Sequence, residues 1–179
     1  MKETSIYFKR RKKLARLMQN NSIVILESAT EKTRNNDSLF RYRQCSNFYY
    51  LTGYNLPNAT LFIVKENNKL ISHFFTKKPN KHDEIWTGKL DNSIKVCKTL
   101  SMDKCNYVDS INMYLDTYLK NCLIIYHSLD KSSDLKQLIE DKTETLQKKY
   151  RKGAEYPSKI IYGDEFAKSW RLCNSRLAR

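Results

Sequence analysis

The chain has 179 residues, 40% hydrophobic and 12% aromatic, with only four Gly and three Pro; this is a globular composition long enough for one core, and it excludes disorder and fibrous repeats. Lys and Arg number 33 against 19 Asp and Glu, a net charge of +14, which raises nucleic-acid binding but is equally what a solvated basic surface gives. No apolar run approaches the roughly 20 residues that span a bilayer. The five cysteines (Cys45, Cys97, Cys105, Cys122, Cys173) include no Cys-x-x-Cys pair and follow no secretory signal, so reduced thiols and a cytoplasmic location are expected.

Thr4 or Ser5 can cap an opening helix that runs to about Met18, with Leu14, Leu17 and Met18 at helical spacing and the basic run mainly on the other faces. Ser22–Glu27 is short, β-branched and apolar on both faces, which predicts a buried strand. Residues 28–40 read as a polar loop. Phe48–Thr52 has strand character, and Gly53 and Pro57 punctuate the turn after it. Ala59–Val64 and Lys69–Thr76 predict a hairpin across Glu66-Asn67-Asn68. Helices are expected over 91–100, 108–120 and 131–150, the last with Leu135, Leu138, Ile139, Thr143 and Leu146 at helical spacing, and a further buried strand at Leu123–Tyr126. Strands interleaved with helices predict α/β, and the hairpin makes the sheet mixed. The expected architecture is a single three-layer domain over residues 1–158, followed by a tail at 159–179.

The residues offer little catalytic chemistry. His73, His82 and His127 show no metal-ligand spacing, and His82-Asp83-Glu84 reads as a solvated loop. His73 is expected to be a hydrogen-bonded sheet residue. There is no Gly-x-Ser-x-Gly and no glycine-rich phosphate loop. Cys45 is expected to be a buried, inert thiol. Arg41, Tyr42, Arg43, Phe48, Tyr49 and Tyr50 interleave cations with rings and could form a stacking platform. A continuous aromatic run favours instead a core strand whose rings fill the interior.

Four blocks carry a resemblance. They are Arg10-Arg11 with Leu14 and Met18, Tyr42-Arg-Gln-Cys-Ser-Asn-Phe-Tyr-Tyr-Leu-Thr-Gly-Tyr54 with Pro57 and Ala59, Glu84-Ile-Trp-Thr-Gly88, and Ile124-Ile-Tyr-His127. In order and spacing they resemble the N-terminal domain of the aminopeptidase P (Xaa-Pro aminopeptidase) family, across most of residues 8–150. Leu56 stands where that family usually has an acidic residue, and Lys89-Leu90 where it often has Arg-Arg or Arg-Leu.

The resemblance implies a creatinase-like N-terminal domain, a mixed sheet flanked by helices that supports homo-oligomerisation. It implies no catalytic residue and no metal ligand in this chain. The family's two Mn²⁺ ions bind two Asp, one His and two Glu of a later pita-bread domain. That catalytic domain, if encoded separately, is an implied partner, and Xaa-Pro peptides are the implied substrates. Trp86 matches a residue that reaches toward a neighbouring subunit's site, and is the one substrate-proximal candidate. The expected function is thus a truncated accessory domain, inactive alone. The alternative is a basic α/β nucleic-acid-binding or protein-interaction domain without enzymatic activity. Neither membrane nor nucleic acid is an expected partner.

Overall fold

Alternation within a single strand sets the architecture. Along β1 (Ser22–Glu27), Ile23 and Ile25 face one side of the sheet and Val24 and Leu26 the other, and all four are buried. A strand that is apolar on both faces requires a layer on each. The computed structural model describes residues 6–35, 38–80, 88, 90–128, 133–149 and 156–162.

One layer holds α1 (Ile6–Leu17), α2 (Ser46–Thr52) and α3 (Ser93–Leu100). Their Leu14, Phe48, Leu51 and Val96 pack on Val24, Leu61, Ile63 and Phe74. The other holds α4 (Ile111–Leu119) and α5 (Asp134–Lys149). Their Leu115, Leu119, Leu135 and Ile139 cover Ile23, Ile25, Phe62 and Phe75. Full burial of each such side chain contributes roughly 1.5–3 kcal/mol.

Between the layers lie β1, β4 (Thr60–Glu66), β5 (Lys69–Thr76), β6 (Lys104–Tyr107), β7 (Ile124–Ser128) and β8 (Lys159–Tyr162). Their order is β6-β5-β4-β1-β7-β8. The β1–β4 and β4–β5 pairs are antiparallel, and β5–β6, β1–β7 and β7–β8 are parallel. This is the expected three-layer α/β domain with a mixed sheet. The β4–β5 turn is the two-residue kind, with Asn67 and Asn68 both at positive φ (48° and 61°), the conformation that Asn tolerates and that matches strand twist. A small separate hairpin pairs β2 (Thr33–Asn35) with β3 (Ser38–Leu39) inside the expected loop.

Three local readings change. Phe48–Thr52 is helical: α2 buries Phe48, Leu51 and Thr52 at i, i+3 and i+4. A strand would have buried alternate residues; here contact with α1 and the sheet outweighs the aromatic preference for strands. Leu17 is exposed, and its place on the buried face of α1 is taken by Arg11, with Leu14, Ala15 and Met18. Finally, β6 and β8 join the two edges of the sheet, β8 beginning where the tail was expected. No described helix is long and apolar enough to cross a membrane.

His73 lies fully buried in β5, as the sheet residue the sequence suggested. It stacks on Phe75 at 4.2 Å and meets Tyr114 edge-on at 4.4 Å. The Asn106 Oδ1, 2.8 Å from Nε2, can only accept, so Nε2 carries the proton. Nδ1 then accepts from the Tyr118 hydroxyl at 2.9 Å. Burial holds the imidazole down at about 4, from an ordinary 6.5. Between those values the unfolded chain takes up a proton that the folded protein refuses, so stability falls as pH drops through that window. His127 is lowered by burial and by Lys136, and acts in the same direction. Urea unfolding of wild type and His73→Gln at pH 7 and pH 4.5 checks this. The wild type is expected to lose about 2 kcal/mol more than the variant on acidification; equal losses would refute it.

Candidate functional site

The segment from Arg41 to Pro57 is organised around one side-chain amide. Gln44 Oε1 accepts from the Ala29 N–H at 2.7 Å and the Cys45 N–H at 2.9 Å. Its Nε2 donates to Tyr54 O at 3.2 Å and Leu56 O at 3.1 Å. All four hydrogen-bonding positions of the amide are used, and they join the exit of β1, the start of α2 and the chain beyond α2. Tyr42 adds a bond from its hydroxyl to Ala29 O at 3.2 Å. Thr52 Oγ1 donates to Phe48 O and accepts from the Tyr54 N–H, and the Tyr54 hydroxyl lies 3.0 Å from Thr76 Oγ1. Gly53 ends α2 in the left-handed region (φ 71°), its N–H donating to Tyr49 O. A Cβ at Gly53 would run into the Tyr7 ring, so position 53 needs glycine on two counts.

Two arginines of α1 hold the helix ends that this segment creates. Arg10 Nη1 donates to Tyr50 O at 3.1 Å, and its guanidinium lies 3.9 Å from the Tyr50 ring centre. Arg11, fully buried, donates from Nη1 to Leu51 O at 2.9 Å and from Nη2 to Leu100 O at 3.0 Å and Ser101 O at 2.6 Å. It therefore closes the C-termini of both α2 and α3, where unpaired carbonyls and the helix dipole favour a cation. Burial lowers its pKa to about 10, which leaves it charged at neutral pH. The ammonium of Lys65 closes α1 in the same way, donating to Ala15 O and Met18 O.

Beside the Gln44 junction lies a cleft of about 770 Å³. It opens between the end of β1, the start of β4 and the first turns of α4 and α5, with residues 40–46 along one wall. Lys32, Arg41 and Arg43 line it together with Glu27 and Asp134, so its charge is mixed. Ser133 Oγ donates to Glu27 Oε2 at 2.6 Å, which places a carboxylate at the start of α5. Among the described residues that line the cleft there is no histidine to serve the Cys45 thiol as a base. The geometry suits binding of polar chain or ligand groups better than nucleophilic chemistry.

Of the residues picked from sequence, Trp86 lies outside the described residues, as does Glu84-Ile-Trp-Thr87; Gly88 is described, exposed at φ 80°. Cys45 is half-buried at the cleft wall rather than buried. Among the described residues, no group of three or more His, Cys, Asp or Glu could hold a metal ion. Phe48 is buried, whereas Tyr49 is 44% exposed and Tyr50 sits under Arg10. On a helix these rings point in different directions and form no continuous platform. Sequence reasoning missed Gln44 and Arg11 as the residues that build the site. The signal for Arg11 was present: positions 11, 14, 15 and 18 share one helix face.

The sequence model for "Aminopeptidase P, N-terminal domain" matches residues 7–126. The Xaa-Pro aminopeptidase of Escherichia coli (strain K12) is 29% identical over 154 residues, covering 86% of this chain and 35% of that protein. That of Haemophilus influenzae is 33% identical over 118 residues, covering 66% and 27%. Among solved structures, an Escherichia coli aminopeptidase P (Asp260Ala) superposes with a TM-score of 0.78 at 28% identity, over 88% of this chain and 36% of that one. Proline aminopeptidase P II from Yersinia pestis gives 0.78 at 31% identity with the same coverage. The chain thus spans about a third of the length of these relatives.

Two substitutions test the junction. Arg11→Lys keeps the charge but can no longer fork between two helix ends, and is expected to cost about 2–3 kcal/mol. Gln44→Ala leaves the Ala29 and Cys45 N–H groups without their acceptor, at about 2–4 kcal/mol. Urea unfolding measures both; losses under 0.5 kcal/mol would show that the junction does not hold the fold.

Proposed function

Because the chain belongs to the aminopeptidase P N-terminal-domain family, we propose that it is the accessory domain of a metal-dependent Xaa-Pro aminopeptidase. In this reading it supports assembly and shapes access to a site carried by a pita-bread catalytic domain, which releases an N-terminal residue preceding proline. The observation that carries the reading is the use made of the signature itself. Gln44, Thr52, Gly53, Tyr54, Arg10 and Arg11 all act as internal supports. Residues so engaged build a domain; they are not poised to react.

The two Mn²⁺ ions belong, in this reading, to the catalytic domain. The described residues offer no ligand set for them, so no chemical step is assigned to this chain. Trp86 keeps its proposed place near a neighbouring subunit's substrate. The alternative of a nucleic-acid surface gains no support from rings that splay around a helix.

Incubation of the purified 179-residue chain with Mn²⁺ and an Xaa-Pro peptide is expected to give no release of the N-terminal residue. Metal-dependent turnover by this chain alone would overturn the accessory reading. A chimera supplies the positive arm, with residues 1–158 replacing the matching region of the Escherichia coli enzyme. It should hydrolyse the peptide, and Trp86→Ala within it should raise KM with a smaller effect on kcat.

A further inference from the structure

The sheet edge at β6 brings two thiols together. Cys97 sits in the last turns of α3 and Cys105 in β6, eight positions later. Both are half-buried and free, and both pack against the same apolar cluster. Register fixes where Cys105 points. It pairs with Phe74 across the parallel β5–β6 ladder, and Phe74 faces the α1–α2–α3 layer. Side chains at paired positions share a face, so Cys105 faces α3. The chain between the two is held by short bonds: the Met102 N–H donates to Cys97 O at 3.1 Å, and the Cys97 thiol lies 3.6 Å from Met102 O. Asp103 Oδ2 accepts from the Ser72 N–H at 2.7 Å and the Ser72 hydroxyl at 2.6 Å, which anchors the start of β6. Cys97 and Cys105 thus lie on facing sides of the packing between α3 and β6, against one apolar cluster.

We propose that Cys97 and Cys105 are a dithiol that a small-molecule disulfide oxidises to an intramolecular disulfide, fastening α3 to the edge strand β6. The chemistry balances with oxidised glutathione as oxidant. The Cys97 thiolate attacks its S–S bond, and one glutathione thiolate leaves. Cys105 Sγ then attacks Cys97 Sγ in the mixed disulfide, and the second glutathione leaves. The protein loses two electrons and two thiol protons; the glutathione disulfide gains two electrons and becomes two thiols.

The order follows from the surroundings. Burial and the adjoining Cys97 thiol push the Cys105 thiol up, while the Phe74 backbone and Arg11 act against this. Cys105 therefore stays protonated when the oxidant arrives, and becomes the resolving thiol once Cys97 is capped. Cys122, buried and pushed up to about 12, and Cys45 have no such pairing with each other or with this dithiol among the described contacts. They supply internal comparisons.

The test treats the reduced, folded full chain with excess oxidised glutathione and reads the products by intact mass and peptide mapping. The expected wild-type product loses two hydrogens, with the bond mapped to Cys97–Cys105, and is restored by dithiothreitol. Cys97→Ser and Cys105→Ser should each abolish that product. Cys105→Ser should instead retain a glutathione adduct on Cys97, since nothing resolves it. The oxidised wild type should also melt about 5 °C higher than the reduced protein, because the crosslink restricts the unfolded chain. A persistent glutathione adduct on wild type, no reaction at either thiol, or a bond mapped to another pair would overturn the proposal. Circular dichroism on each variant before oxidation confirms that the comparison is between folded proteins. A variant that fails this is replaced by its alanine counterpart.

Discussion

One guanidinium ties together the layer of α1, α2 and α3. Arg11 is fully buried and donates to carbonyls at the ends of two helices, Leu51 O on α2 and Leu100 O and Ser101 O beside α3. Neither helix could end beneath the surface without such a partner, since orphaned carbonyls in a low-dielectric interior are costly. Burying a cation is costly too, and its lowered pKa registers that. The two costs offset each other only when the fork and the carbonyls meet in this geometry. The position of α1 against α2 and α3 is therefore not free: it is set by the reach of Arg11 and backed by Leu14, Ala15 and Met18 on the same face.

From that constraint the rest of the layer follows. Arg10 fixes Tyr50, Lys65 closes α1 from the sheet side, and Gly53 lets the chain leave α2 tightly enough for Tyr54 to reach Thr76. Gln44 then pins the entry of α2 to the exit of β1. The cleft beside that junction is the space left where these fixed ends diverge. On the opposite face the logic is apolar, with Leu115, Leu119, Leu135 and Ile139 laid on the strands. His73 is the exception there, kept neutral by burial among rings, with its two ring nitrogens bonded to Asn106 and Tyr118.

What could be read in advance was what local chemistry decides. Ser22–Glu27 had to be a central strand because it is apolar on both faces, and Glu66-Asn67-Asn68 had to hold the hairpin turn because Asn favours turns; the turn itself is the narrower Asn67-Asn68. The spacing of Leu135, Leu138, Ile139 and Thr143 placed α5 for the same kind of reason. The aromatic run could not be read this way. Tyr and Phe favour strands locally, yet Phe48, Leu51 and Thr52 are drawn to one side by α1 and the sheet, and a helix answers that demand. Edge strands β6 and β8 carry weak patterns because, among the described residues, one side of each has no partner strand. Lys104-Cys-Asn-Tyr107 and Lys159-Ile-Ile-Tyr162 become strands through their neighbours. Gln44 was invisible for another reason: its importance lies in four backbone groups far apart in sequence, and a lone Gln announces none of them.

This also changes what a basic, ring-rich signature means. Arg10, Arg11 and Lys65 look like part of a cationic surface in the sequence, but each serves carbonyls at a helix end. Tyr42 and Tyr50 look like stacking rings, but each is tied to backbone or cation. A segment can therefore identify a lineage through residues whose demands are entirely architectural. Their types and spacing are dictated by where backbone groups must be satisfied, and that requirement is the same whether or not the domain stands near a reacting bond.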